Sequence, residues 1–111
     1  MKIRIAALSV AGALALASTG ATAAIDDKKA TELMNKGACI ACHSVDKKGV
    51  GPSYKDVAKK RKAEKDAAAT LAKKVRAGGS GAYGPVPMPA NPKEKISDDE
   101  VKQLVEWVLT K

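Results

Sequence analysis

Apolar residues recur along this chain at helical spacing, and no stretch shows the apolar–polar alternation of a half-buried strand. The pattern is clearest near the C-terminus. Val101, Leu104, Val105, Val108 and Leu109 fall on the i, i+3, i+4, i+7, i+8 stripe of one buried helix face. Ahead of them, Ser97-Asp98-Asp99-Glu100 has the form of a capping box. Ile96 and Val101 are placed as a hydrophobic staple, and the acids crowd the positive end of the helix dipole. Ala30, Leu33 and Met34 share a face, which predicts a first helix over 27–36 closed by Gly37. Ser53 is an N-cap for a short helix over 54–62. An Ala-rich stretch with Leu71 and Val75 four apart predicts a third helix over 66–77, stopped by Gly78-Gly79. Residues 78–92 hold four Gly and four Pro and must be loop. With no apolar sheet to rest on, the last helix must bury its stripe against another helix, and the first is the expected partner. The prediction is an all-α domain of about four helices.

The first 23 residues read differently. Lys2 and Arg4 precede an apolar run from Ile5 to Ala17, and Ala21-Thr22-Ala23 supplies small residues at cleavage spacing, the form of a secretory signal peptide. Ser9, Ser18, Thr19 and Gly20 interrupt the run, which falls short of the ~18 consecutive apolar residues of a spanning helix. The expectation is export and cleavage, with a mature domain over 24–111 and no stable membrane insertion.

A domain of that size has a small core, and this one has little to build it from: no Phe, one Trp (Trp107) and two Tyr (Tyr54, Tyr83). Such domains often need a staple or a cofactor. Cys39-Ile40-Ala41-Cys42-His43 supplies the means, because Cys-x-x-Cys-His is the attachment pattern of a c-type haem. Cysteines three apart lie on one face of a helical turn, where both sulfurs can bond the vinyl groups on one porphyrin edge. His43 follows about 100° further round and can reach the iron. A redox-active dithiol would sit in a βαβ context that is missing here. A closed zinc site lacks a fourth ligand, since the chain has no second His or further Cys. The motif therefore implies one covalently bound haem c.

The second axial position of such a haem favours electron transfer when a thioether fills it. Outside residues 1–23 the candidates are Met34 and Met88. Met34 lies on an apolar helix face and reads as core. Met88 sits in Gly84-Pro85-Val86-Pro87-Met88-Pro89, a segment stiffened by alternate prolines, and stiffness leaves little ordering entropy to lose on binding. A Met that merely fills a loop gap is the bland reading.

Three segments carry a resemblance. Val50-Gly51-Pro52-Ser53-Tyr54-Lys55-Asp56-Val57, the Gly-Pro-Val-Pro-Met-Pro stretch, and Ser97-Asp98-Asp99-Glu100 through Trp107-Val108-Leu109 resemble the short bacterial class I cytochromes c of the c-551/c-552 type. The similarity runs from about Leu33 to Lys111, in the family order. It implies the small cytochrome c fold, about four helices around one attached haem, and His43 and Met88 as the two iron ligands. It implies that the Pro52 carbonyl accepts the Nδ1 proton of the axial His, and that Asn91 hydrogen-bonds near the Met sulfur. Tyr83 stands where relatives often carry a Trp that donates to a haem propionate, and Lys74 where a basic residue meets the other propionate. There are departures as well: residues 91–95 lengthen the link into the last helix, and Lys59-Lys60-Arg61-Lys62 puts charge where an apolar residue is usual.

The resemblance implies a periplasmic one-electron carrier of the respiratory chain rather than an enzyme. The competing reading is a small peroxidase or gas-reactive haem protein, which needs an open or labile distal site and usually a polar distal residue. Charge bears on partners. The whole chain is +8, and without Lys2 and Arg4 it keeps 18 basic and 12 acidic side chains, a net +6. Much of the run over 59–65 reads as solvated surface, but the excess suits steering towards acidic redox proteins. By family these include a nitrite reductase, a terminal oxidase, a peroxidase or a quinol-linked cytochrome complex. An exported chain with three aromatics is no nucleic-acid binder, and a monomer is expected.

Overall fold

In the computed structural model, the structure describes residues 24–111. The expected signal peptide, residues 1–23, lies outside the described residues. Four α-helices follow in order: α1 (Asp27–Lys36), α2 (Tyr54–Arg61), α3 (Ala67–Ala77) and α4 (Asp98–Val108). A single 3-10 turn, Cys39–Ala41, comes between α1 and α2, and no strand forms among the described residues.

The helix ends are where the caps put them. Asp26 accepts from the Lys29 amide and Ser53 from the Asp56 amide. The Ser97 hydroxyl accepts from the Glu100 amide at 3.2 Å, and Glu100 Oε1 accepts from the Ser97 amide at 3.0 Å, closing the capping box. The third helix starts one residue later than its pattern suggests. Asp66 has φ +58° and serves as the N-cap instead of the first helical residue.

Leu33, Ile96 and Val101 are the largest fully buried side chains, in one cluster with Ala30, Met34, Tyr54, Val57 and the stripe of α4. Met34 is core, as its helix face predicts. Two polar ties bind α1 to α4. Trp107 Nε1 donates to Asp27 Oδ1 at 2.9 Å, and Lys36 Nζ meets the Glu100 carboxylate at 2.8 Å. The expectation that α4 rests mainly on α1 is only part of the packing. Its most extensive neighbour is α3, and it also touches α2. The reason is size: α3 presents Ala68 and Ala72 beside Leu71 and Val75, and small side chains let two helices approach closely. α4 is the hub, and the other helices leave a cleft beside it.

Candidate functional site

Cys39, Cys42, His43, Tyr83 and Met88 all line one cleft of about 800 Å³. Val57, Leu71, Val75, Leu104 and Val105 supply apolar wall. A flat apolar group is the kind of body that such a space takes.

The two cysteines come to the cleft on the 3-10 turn. Three residues per turn bring positions i and i+3 into line more closely than an α-helix does. Both thiols are unpaired and half-buried, and burial pushes the Cys39 thiol above its ordinary pKa. The turn is entered through Ala38, a left-handed residue at φ +55°. Its exit is locked by the His43 and Cys42 amides, which both donate to the Cys39 carbonyl, at 2.9 and 3.1 Å.

His43 is oriented by its own loop. Nδ1 lies 2.7 Å from the Pro52 carbonyl oxygen. A carbonyl only accepts, so in the neutral ring Nδ1 carries the proton and the lone pair is on Nε2, the tautomer a metal-binding imidazole needs. One face of the ring stacks on Tyr54, with centroids 5.3 Å apart, and Tyr54 in turn meets Trp107 edge-on at 6.0 Å. Gly51 closes against the imidazole. A Cβ there would stand 2.6 Å from His43 Cε1, so only glycine lets the loop pass this close.

Across the cleft, the segment after α3 is pinned by backbone pairing. Gly79 and Met88 exchange both hydrogen bonds, at 2.9 and 2.8 Å. Gly78, at φ +67°, leaves the helix in a conformation where a Cβ would sit 2.3 Å from the Met88 carbonyl. Met88, flanked by Pro87 and Pro89, is half-buried. Asn91 is buried, and its Nδ2 donates to the carbonyls of Val75 and Pro89, at 3.2 and 3.3 Å, while its own backbone bonds Val75 again. Both amide contacts are thus to carbonyls, and the one to Val75 ties the Met88 segment to α3. Lys74, half-buried on α3, reaches along the same rim, its Nζ beside Gly79.

The chemistry of the donor set supplies the test of what the cleft takes. Tyr83 Oη and Arg61 Nε are both shut off from solvent, and neither has a hydrogen-bond partner. Both residues line the cleft. Two thiols, an imidazole and a thioether around an apolar slot fit a flat apolar group tethered through sulfur, and a haem is such a group. Residues that could hold it are the two thiols, His43 Nε2, Met88 Sδ, and the donors at the rim. The sequence singled out the first four together with Tyr83 and Lys74. Arg61 was hidden in a run of cations that reads as solvated surface.

Comparison with known proteins agrees with that chemistry. A family model described as Cytochrome c matches residues 27–111. Cytochrome c-551 of Pseudomonas aeruginosa is 50% identical over 76 residues, covering 68% of this chain and 69% of the relative. Cytochrome c-551 of Stutzerimonas stutzeri is 44% identical over 109 residues, 98% of this chain and 96% of the relative. Among solved structures, wild-type cytochrome c552 of Nitrosomonas europaea superposes with a TM-score of 0.66 at 46% identity, over 72% of this chain and 96% of that one.

Proposed function

The chain belongs to the cytochrome c family, and on that footing we propose that it is a periplasmic one-electron shuttle with His43 and Met88 as the iron ligands. It is a class I cytochrome of the c-551/c-552 type, a small electron carrier with one covalently bound haem c. The haem supplies the chemistry, cycling between Fe(II) and Fe(III) as one electron enters from a donor protein and leaves to an acceptor.

In this reading Cys39 and Cys42 are the thioether tethers. The observation that carries the ligand assignment is the 2.7 Å bond from His43 Nδ1 to the Pro52 carbonyl. It favours the neutral tautomer whose lone pair is on Nε2, in the same cleft as Met88. Pro52 is then a positioning residue for His43. Asn91 acts likewise on Met88, by tying its segment to α3. Tyr83 and Lys74 serve the propionates. Residues 1–23 direct export and are removed. Among the described residues no helix is long and apolar enough to cross a membrane.

Docking is weak and fast in this account. Ile40, Val50 and Val86 are the large exposed hydrophobic residues, and Val50 and Val86 stand at the cleft. A small apolar contact within a net positive surface suits acidic partners that must bind and release quickly. Reductases, oxidases and quinol-linked complexes with acidic faces fit that requirement.

The test is spectroscopic, on holoprotein matured in a periplasm. The ascorbate-reduced form should be low-spin, and the oxidised form should show a sulfur-to-iron charge-transfer band that Met88→Ala abolishes. A high-spin wild-type spectrum, or carbon monoxide binding at neutral pH, would overturn Met88 ligation and favour a gas-reactive or peroxidatic protein.

A further inference from the structure

The last turn of α3 carries a cation that joins three parts of the fold. Nε and Nη2 of Arg76 donate to Asp98 Oδ1 at 3.1 and 2.8 Å, and Nη1 donates to the Asn91 carbonyl at 3.0 Å. Asp98 stands in the first turn of α4. Arg76 first, and then Lys93, hold its carboxyl below the ordinary pKa. The two cations are not equivalent. Lys93 reaches the other oxygen at 3.1 Å, but its side chain is 72% exposed, and exposed pairs contribute little. The Arg76 side chain is only 21% exposed. Its planar fork can hold a carboxylate and a second acceptor at once, which a single ammonium does poorly.

Asn91, the residue gripped by that fork, comes three after Met88. It is buried, and its backbone N–H donates at 3.1 Å to the Val75 carbonyl, one of those that a helix end leaves free. Its Nδ2 also donates to the Pro89 carbonyl, and Pro89 has a fixed φ. A swing of Met88 out of the cleft therefore pulls on Asn91. The near side of Met88 is held by its pairing with Gly79, and the far side by Asn91. The Arg76–Asp98 pair carries that second hold across to α4.

We propose that Arg76 latches the Met88 loop: by fastening Asn91 to Asp98 it sets how often the loop opens, and so how readily a foreign ligand displaces the Met88 sulfur. This rests on Met88 being an iron ligand and adds Arg76 as a positioning residue for it, acting from outside the cleft. The physics is local. A charge-assisted bond that must break on opening makes the open state rarer, and such openings involve one segment rather than the whole fold. A ligand that binds only the open loop has an apparent affinity in proportion to the open fraction. Loop opening and ligand affinity are thus two readings of one equilibrium.

Both are measured on oxidised holoprotein at neutral pH. Amide exchange followed by NMR reports opening at Gly79, Met88 and Asn91, whose N–H groups are all hydrogen-bonded. Imidazole titration, read as loss of the sulfur-to-iron band, reports displacement of Met88. In Arg76→Gln, exchange at the three amides should quicken by roughly three- to thirtyfold, and imidazole affinity should rise by a similar factor. Asp98→Asn should act in the same way, and the double variant should add little to either, since both cut one link. Arg76→Lys keeps the charge but offers a point donor in place of a fork, and should recover less than about half of the logarithmic change. Fuller recovery would overturn the latch, because charge alone would then suffice. Lys36→Gln cuts the other tie of α4, to Glu100. It should lower the melting temperature yet shift loop exchange and imidazole affinity by less than about twofold. The proposal is overturned if Arg76→Gln moves the three amides no more than Lys36→Gln does, or if exchange quickens while imidazole affinity stays put. A wild type lacking the sulfur-to-iron band would sink Met88 ligation instead, and the hold of Arg76 on the loop would then be judged from exchange alone.

Discussion

α1 and α4 meet in the most completely buried part of the molecule. Their faces bury Ala30, Leu33, Val101 and Val105 to within a few per cent of full burial, and their ends are tied by Trp107 to Asp27 and by Lys36 to Glu100. The opposite wall, made by α2, α3 and the segment from Gly78 to Asn91, is built otherwise. Leu71, Val75 and Tyr83 are only partly buried, two polar atoms lack partners, and the loop is held by the Gly79–Met88 bridge, the buried Asn91 and single bonds from Lys60 and Arg76. One half of the molecule is a finished core. The other is the wall of a cleft, apolar and set with side chains able to bond or ligate a haem. The contrast teaches that stability and function have been given to different sides of α4, which belongs to both.

The comparison breaks most completely when the haem is kept out. Cys39→Ala with Cys42→Ala leaves a cleft of about 800 Å³ unfilled. That loss is comparable to the whole margin of about 5–15 kcal/mol by which such domains are stable. Thermal unfolding followed by circular dichroism should lose its cooperative transition, and the slowest residual amide exchange should lie in α1 and α4. An apoprotein that melts as sharply as the holoprotein would refute the division.

The next effect sets one half against the other in the holoprotein. Leu33→Ala, at a residue 1% exposed, should cost about 2–5 kcal/mol, read as a fall in the urea midpoint. Val86→Ala, at a residue 59% exposed on the other wall, should cost less than about 0.5 kcal/mol. Similar losses at the two sites would mean that the Met88 segment carries core-like packing.

Acid sharpens the picture further. The Lys36 ammonium, and then the Ser97 amide, hold the Glu100 carboxyl down at about 2, against an ordinary 4.5. A depressed carboxyl contributes stability above its unfolded pKa and loses it as pH falls towards the folded value. The melting temperature should therefore decline between about pH 4.5 and pH 2, and Glu100→Gln should flatten that decline while lowering stability at neutral pH. An unchanged acid limb in Glu100→Gln would remove this tie from the α1–α4 frame.

The smallest expected change is a gain. Ala38 holds φ +55° at the entrance to the cysteine turn, a conformation that costs a residue with a Cβ about 1 kcal/mol or more. Ala38→Gly removes that strain but adds backbone freedom to the unfolded chain, so the net stabilisation should be about 0.5 kcal/mol, read as a small rise in melting temperature. A lowered melting temperature would show that the strain is offset by contacts of the Ala38 methyl.

Much of this was legible because it is local. The span of α1, the Ser53 and Ser97 caps and the stripe of α4 are written in spacings of three and four, and the cysteines with His43 form one contiguous motif. The rest depends on what meets across space. α4 has α3 as its widest neighbour because Ala68 and Ala72 are small, a feature that weak periodicity hides. The cysteine motif winds as a 3-10 turn and Asp66 caps α3 from the left-handed region, and neither geometry has a signature in residue type. Asn91 bonds the Val75 and Pro89 carbonyls, a bond set by how the loop folds back on α3. Arg61 reads as one more surface cation, and only the position of Tyr83 reveals its inner nitrogen.

The ladder of rings from His43 through Tyr54 to Trp107 has a practical corollary. Trp107 is the chain's single tryptophan, and it sits edge-on to a ring that itself stacks on His43 beside the cleft. A haem held beside His43 would quench the indole emission by energy transfer through space, and brightness would return as the distance opened. The molecule thus carries its own optical gauge, by which refolding, haem loss and loosening of α4 can be timed without any attached dye.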